Sequence, residues 1–286
     1  MHALHRKGSA RAHQRGLSLI ELMVAITLGL FLLTVTISVF LGISRTARTQ
    51  DAASRLDENG RFAIESITRA IRLAGYRNWG GPGGAPGYTG TGDPVINATD
   101  GTAATTGYSD TINVRFHGAG PAVGTADGSI VDCLGNPVAE GSTLADRVVN
   151  TFTVAASGSE RVLTCDNGTG AVTLATNIDS LQILYGVDIS GGDRVADRWV
   201  RANDVANWDQ VVAVRVSLMA VGEVGSRGLA ADTATYRMFD ENYVNTSDNG
   251  AIYNASADTS TDARSRLRKV YTTTIFLRNR TFASAT

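Results

Sequence analysis

The chain is poor in the residues that catalytic and metal chemistry use most. It has four histidines, and three of them, His2, His5 and His13, fall within the first 16 residues, leaving His117 alone in the rest. A histidine-based metal centre or a multi-histidine acid–base site is therefore close to excluded. Lysine is scarcer still: Lys7 and Lys269 are the only two, so nearly all positive charge is arginine. With 26 basic against 27 acidic residues there is no cationic excess to displace counterions, which speaks against a nucleic-acid binder. No G-x-x-x-x-G-K-[ST] phosphate loop and no G-x-S-x-G nucleophile elbow occurs. What the chain does have is a 43% apolar composition over 286 residues, enough to build a core in one large or two small domains.

The N-terminus is the most informative stretch. Residues 1–16 (MHALHRKGSARAHQRG) carry Arg6, Lys7, Arg11 and Arg15 and no acid. Residues 22–43 then run uncharged for 22 positions, about 33 Å as a helix, long enough to cross a bilayer core. The basic leader predicts a cytoplasmic N-terminus with the remainder across the membrane. A cleaved secretory signal would have a shorter apolar region followed by an A-x-A-like site. A plain anchor accounts for the length but not for Glu21, one turn inside the apolar run. A carboxylate in hydrocarbon costs about 2.5–3.5 kcal/mol, so it marks a functional position with a partner to be named, unless it snorkels to the headgroups.

Gly16, an apolar Leu17 and Glu21, fifth when Leu17 is counted as one, behind a basic leader and within SLIEL, resemble the type IV prepilin signal. The family more often has Phe or Met where Leu17 stands. The resemblance implies that a prepilin peptidase cuts between Gly16 and Leu17 and methylates the new N-terminus. It also implies that Glu21 pairs with the cationic amine of a neighbouring subunit. Two membrane-buried charges would each shed their penalty only when subunits dock.

The helix is expected to continue to about Tyr76. Leu56, Gly60, Ala63, Ile64, Ile67, Ile71 and Ala74 recur at helical spacing as one apolar stripe. Arg55, Asp57, Glu58, Arg61, Glu65, Arg69 and Arg72 fall mostly off it and read as a solvated face, with Asp57–Arg61 and Glu65–Arg69 spaced for i,i+4 pairs. Only Gly29 and Gly42 are weak points in the apolar half. The organisation expected is a leader over 1–16, a membrane and assembly half over 17–43, an amphipathic half over 44–79, and a β-rich head over 80–286. Within the head, 80–107 holds nine glycines in 28 residues and reads as a loop. Strands are expected at 111–116, 147–154, 161–165, 178–187, 211–220 and 270–277. Their alternation predicts an antiparallel sheet with one wet face and the stripe on the other: an α+β, pilin-like arrangement. Leu181, Ile183, Tyr185 and Val187 are placed on one face, as are Val212, Val214, Val216 and Leu218.

TRAIRLAGYRNW, SLQILYGVD, WDQVVAVRVSLM and RLRKVYTTTIFLRNR resemble the PilW family of minor pilins, over most of 17–79 and 178–280 but weakly over 80–177. That resemblance implies a non-enzymatic subunit that primes type IV pilus assembly and sits at the tip, serving twitching motility, adhesion or DNA uptake. Implied partners are the prepilin peptidase, other minor pilins, the major pilin, the inner-membrane assembly platform and a tip adhesin. No cofactor is implied. A J-type minor pseudopilin of a type II secretion system shares leader and helix and stays open; a membrane-anchored periplasmic enzyme finds little support. Cys133 and Cys165, an even pair in a segment expected to be exported, are expected to form a disulfide. Closing about 33 residues contributes roughly 3–4 kcal/mol in the chain-entropy picture, with two buried thiols as the alternative. Asp188, Asp193 and Asp197 lack EF-hand spacing, because Ser190 and Gly192 stand at ligand positions, and read as a polar turn without metal.

Overall fold

A computed structural model describes residues 18–82, 94–102, 108–190, 193–228 and 230–279. The chain divides into two units, one ending at Arg48 and one running from Thr49 to Thr286. Helix α1 (Leu19–Leu73) supplies the described part of the first and enters the second.

In the second unit the apolar stripe of α1 is buried as its spacing requires. Leu56, Gly60, Ala63, Ile67, Ala70 and Ile71 are covered, and Ile67 and Ile71 are fully shielded. Each such isoleucine contributes about 1.5–3 kcal/mol. The helix stops where the chain turns left-handed: Gly75 has φ +73°, a conformation that only glycine adopts freely. Its N–H donates to Arg115 O at 2.9 Å, and Asn279 Nδ2 caps the last turn by donating to Arg72 O at 2.9 Å.

The strands are β1 (Ile96–Thr99), β2 (Thr111–Phe116), β3 (Val148–Ser157), β4 (Glu160–Asp166), β5 (Ala171–Thr176), β6 (Ile178–Val187), β7 (Arg198–Val200), β8 (Val211–Val221), β9 (Thr235–Arg237), β10 (Ile252–Asn254) and β11 (Arg268–Phe276). A four-residue helix, α2 (Thr261–Arg264), precedes the last. All pairings are antiparallel. The expectation of one sheet is corrected to two: a five-stranded meander β1-β2-β3-β4-β5 and a four-stranded sheet β11-β8-β6-β7, with β10-β9 as a separate hairpin. The expected loop over 80–107 is also corrected, because β1 lies inside it and pairs with β2, Ile96 opposite Val114.

The wet face does not exist over the middle of the four-stranded sheet. One side joins the helical stripe through Leu181, Ile183, Tyr185, Val214, Val216 and Leu218. The other is covered by the hairpin lobe, which lays Met238, Phe239 and Ala251 on Leu184 and Met219. β6 and β8 are thus buried on both faces. A bulge also shifts one expected residue. Gly186 pairs with Ala213 and Val187 with Val211, so Val212 is the extra residue and Val211 enters the core facing the helix in its place.

Candidate processing and assembly site

Gly16 and Leu17, the expected cleavage junction, lie outside the described residues. The description begins one residue later and shows how the helix starts. Ser18 Oγ accepts from Glu21 N–H at 3.2 Å, and the Glu21 carboxylate accepts from Ser18 N–H at 3.4 Å. This reciprocal capping box satisfies two N–H groups that a helix start leaves orphaned, and it sets Glu21 in the first turn, where the helix dipole favours an anion. The S-x-x-E spacing before an apolar run could have revealed Ser18 from the sequence.

From residue 18 to residue 43 every position is exposed. Leu19 is 77% exposed, Phe31 67% and Phe40 67%. The hydroxyls in this stretch are satisfied by the helix itself: Thr27 donates to Val24 O, Thr34 to Leu30 O, Thr36 to Leu32 O and Ser38 to Val35 O. Bonding back to the helix is an arrangement that hydrocarbon surroundings favour, where no water is present to pair a hydroxyl. The helix is long and apolar enough to cross a membrane. A Cβ at Gly29 or Gly42 would meet nothing within 4 Å, so this chain alone gives neither position a reason to lack a side chain.

Deeper in the head, Asp57 proves to be more than a member of a solvated face. Its Oδ1 accepts from Lys269 Nζ at 2.6 Å and from Tyr271 OH at 2.5 Å, clamping α1 to β11. These two hydrogen bonds, Lys269 first, hold the carboxyl below its usual range. At the same level the Tyr271 ring occupies the place of the missing Gly60 side chain, where a Cβ would sit 2.2 Å from Cε2. Glu65 and Arg69 form an i,i+4 pair at 3.3 Å.

Cys133 and Cys165 are joined, with Cα atoms 6.2 Å apart. Beside the bond, Asp132 accepts from Leu134 N–H and Asn136 N–H and from the Asn167 amide, tying the 131–137 turn to the turn after β4. Asp197 accepts from the Ile189 and Ser190 amides at 2.8 and 2.9 Å, and Asp188 from Arg194 N–H at 3.2 Å. These carboxylates are engaged in closing a turn. His117 is 1% exposed, and burial, with Arg147 nearby, lowers its pKa. Among the described residues no group of three or more His, Cys, Asp or Glu is placed to hold a metal ion. Trp208 packs edge-on to Tyr185 and Trp199 lies under Arg215, whereas Trp79 is 62% exposed beneath the Arg77 guanidinium.

Residues 11–37 match the family model of the prokaryotic N-terminal methylation motif, and residues 149–279 that of the type IV pilus-assembly protein W. Among solved structures, a type IV-like pilin from Thermus thermophilus is similar at 16% identity and a TM-score of 0.42, covering 79% of this chain and 99% of that one. No curated protein matches. The apolar helix, its methylation motif and the antiparallel head define a type IV pilin-like protein. Within that class, the stretch that resembles the type IV pilus-assembly protein W is residues 149–279, somewhat under half of the chain. The match begins at 149 and so takes in β3, β4 and β5, a region in which the sequence resemblance is weak.

Proposed function

We propose that the chain is a minor pilin, a non-enzymatic structural subunit that primes type IV pilus assembly in the inner membrane and is carried at the pilus tip. Prepilin peptidase cuts between Gly16 and Leu17 and methylates Leu17, the leader staying in the cytoplasm and the head in the periplasm. The observation that carries this reading is Glu21, the one acid opening a helix half that has no buried residue. Such a surface suits lipid first and the helices of other minor pilins and the major pilin afterwards. A neighbour's amine then takes over the Glu21 carboxylate, removing a membrane penalty of about 2.5–3.5 kcal/mol. The PilW match over the head supports a pilus rather than a type II secretion pseudopilus. The assembly platform, a tip adhesin, motility, adhesion and DNA uptake belong to the same proposal.

Two variants test it. Gly16→Ala is expected to block processing, so that mass spectrometry finds the arginine-bearing start; normal processing refutes the junction. Glu21→Gln keeps the capping box, which accepts Gln as well as Glu, but removes the charge. It should still be cleaved, and it should fail to copurify with sheared pili. Wild-type incorporation would rule out charge pairing.

A further inference from the structure

A cleft of about 610 Å³ opens where the hairpin lobe meets β4 and the sheet face turned away from α1. That volume is in the range of small-ligand sites, which are mostly apolar. Here 13 of the 18 lining residues are polar, charged or tyrosine, so the wall offers many hydrogen-bonding partners beside its apolar surface.

Three arginines are among its lining residues, Arg161, Arg266 and Arg268. The Arg268 side chain is 2% exposed, held through Nη1 by Asp232 at 3.1 Å, while its Nε has no partner. Arg161 pairs through Nη1 with Asp179 at 3.4 Å, and its buried Nη2 is likewise without a partner. Arg266 spends its donors on neutral groups, Gly222 O at 2.6 Å and Asn177 Oδ1 at 3.1 Å, so its charge is not matched by those bonds. The other carboxylates of the lining are occupied. Asp258 accepts from Tyr253 OH and Ser260 N–H, and Asp248 accepts from Tyr243 OH. Burial raises the Asp248 pKa. Unmet N–H groups on buried guanidiniums are expensive to maintain, and the group that would satisfy several at once is a carboxylate. Around it, Thr246, Asn249 and Asn254 offer hydroxyl and amide partners. Tyr253 provides a wall fixed by its bond to Asp258 and by Arg268 stacked 4.8 Å from the ring centre.

We propose that this cleft binds an acidic sugar, a uronic-acid unit of a glycan, with its carboxylate on the Arg161–Arg266–Arg268 cluster and its hydroxyls on the asparagine side. The full chain, in zwitterionic detergent, is titrated with glucuronate, glucose and acetate by saturation-transfer NMR. Glucuronate should bind about tenfold more tightly than either control, a margin of one charge-assisted hydrogen bond. Arg161→Gln should weaken glucuronate about tenfold. Ala257→Trp, which fills the exposed rim and removes no polar contact, should abolish binding with an unchanged unfolding midpoint. Absence of glucuronate binding overturns the site, as does undiminished binding by a folded Ala257→Trp protein. Glucose binding as tightly overturns the role of the arginines, and acetate doing so overturns the sugar.

Discussion

At Gly60 the helix lies tight against the Tyr271 ring of β11, and the structure fixes what a single methyl group would do there. A Cβ at Gly60 would lie 2.2, 2.6 and 2.7 Å from three atoms of the Tyr271 ring. The ring cannot swing aside freely, because its hydroxyl is bonded to Asp57. Gly60→Ala therefore sets two effects against each other. In a helix interior the substitution gains about 1 kcal/mol of propensity. Overpacking costs about 1–3 kcal/mol, and a displaced Tyr271–Asp57 bond about 1 kcal/mol more. The loss wins by about 2 kcal/mol, which for a head of this size lowers the unfolding midpoint by about 4–8 °C. Circular dichroism melts of the full chain in detergent would read the shift. In a Tyr271→Ala background the obstruction is gone and only the propensity gain remains, so the same Gly60→Ala change should become stabilising by about 1 kcal/mol. If Gly60→Ala has the same sign in both backgrounds, the close approach is not what keeps glycine at this position.

Two further perturbations bear on the head. Asp57 is held below the usual carboxylate range by Lys269 and then Tyr271. A depressed acid stabilises above its unfolded pKa and loses that contribution as pH falls through the folded value. Asp57→Asn should accordingly lower stability at pH 7 by about 0.5–1 kcal/mol, small because the pair is solvent-screened. The difference should fade below about pH 4; a difference independent of pH would show that charge is not the cause. Replacing Cys133 and Cys165 together by serine removes a cross-link spanning 32 positions and should lower the midpoint by roughly 10 °C. A melt identical to the parent's under oxidising conditions would show that the bond adds nothing.

Much of this fold was legible because burial leaves a period in the sequence. The stripe on α1 and the alternation in β2 and β6 follow directly from which side faces the core, and 111–116 and 178–187 carry the same bounds in sequence and structure. The strands that escaped are very short or built of small residues. β5 (Ala171–Thr176) reads AVTLAT, and β7, β9 and β10 are three residues each, too short for any period to register. The second burial of β6 and β8 depends on Met238 and Phe239 arriving from a segment with no regular pattern. Val212 missed the helix-facing core because a bulge is a local backbone event that alternation cannot announce. At the assembly site the charge at Glu21 was legible from its apolar surroundings. Its bond to Ser18 was written in the spacing but masked by the hydrophobic run around it.

The link between Cys133 and Cys165 has a temporal consequence. Such bonds persist only where glutathione and thioredoxin do not keep thiols reduced. A copy of the head kept in reducing surroundings would carry two free sulfhydryls, its 131–137 turn held by hydrogen bonds alone. The ratio of alkylatable to blocked cysteine in a pulse-labelled culture would then clock the maturation of each molecule.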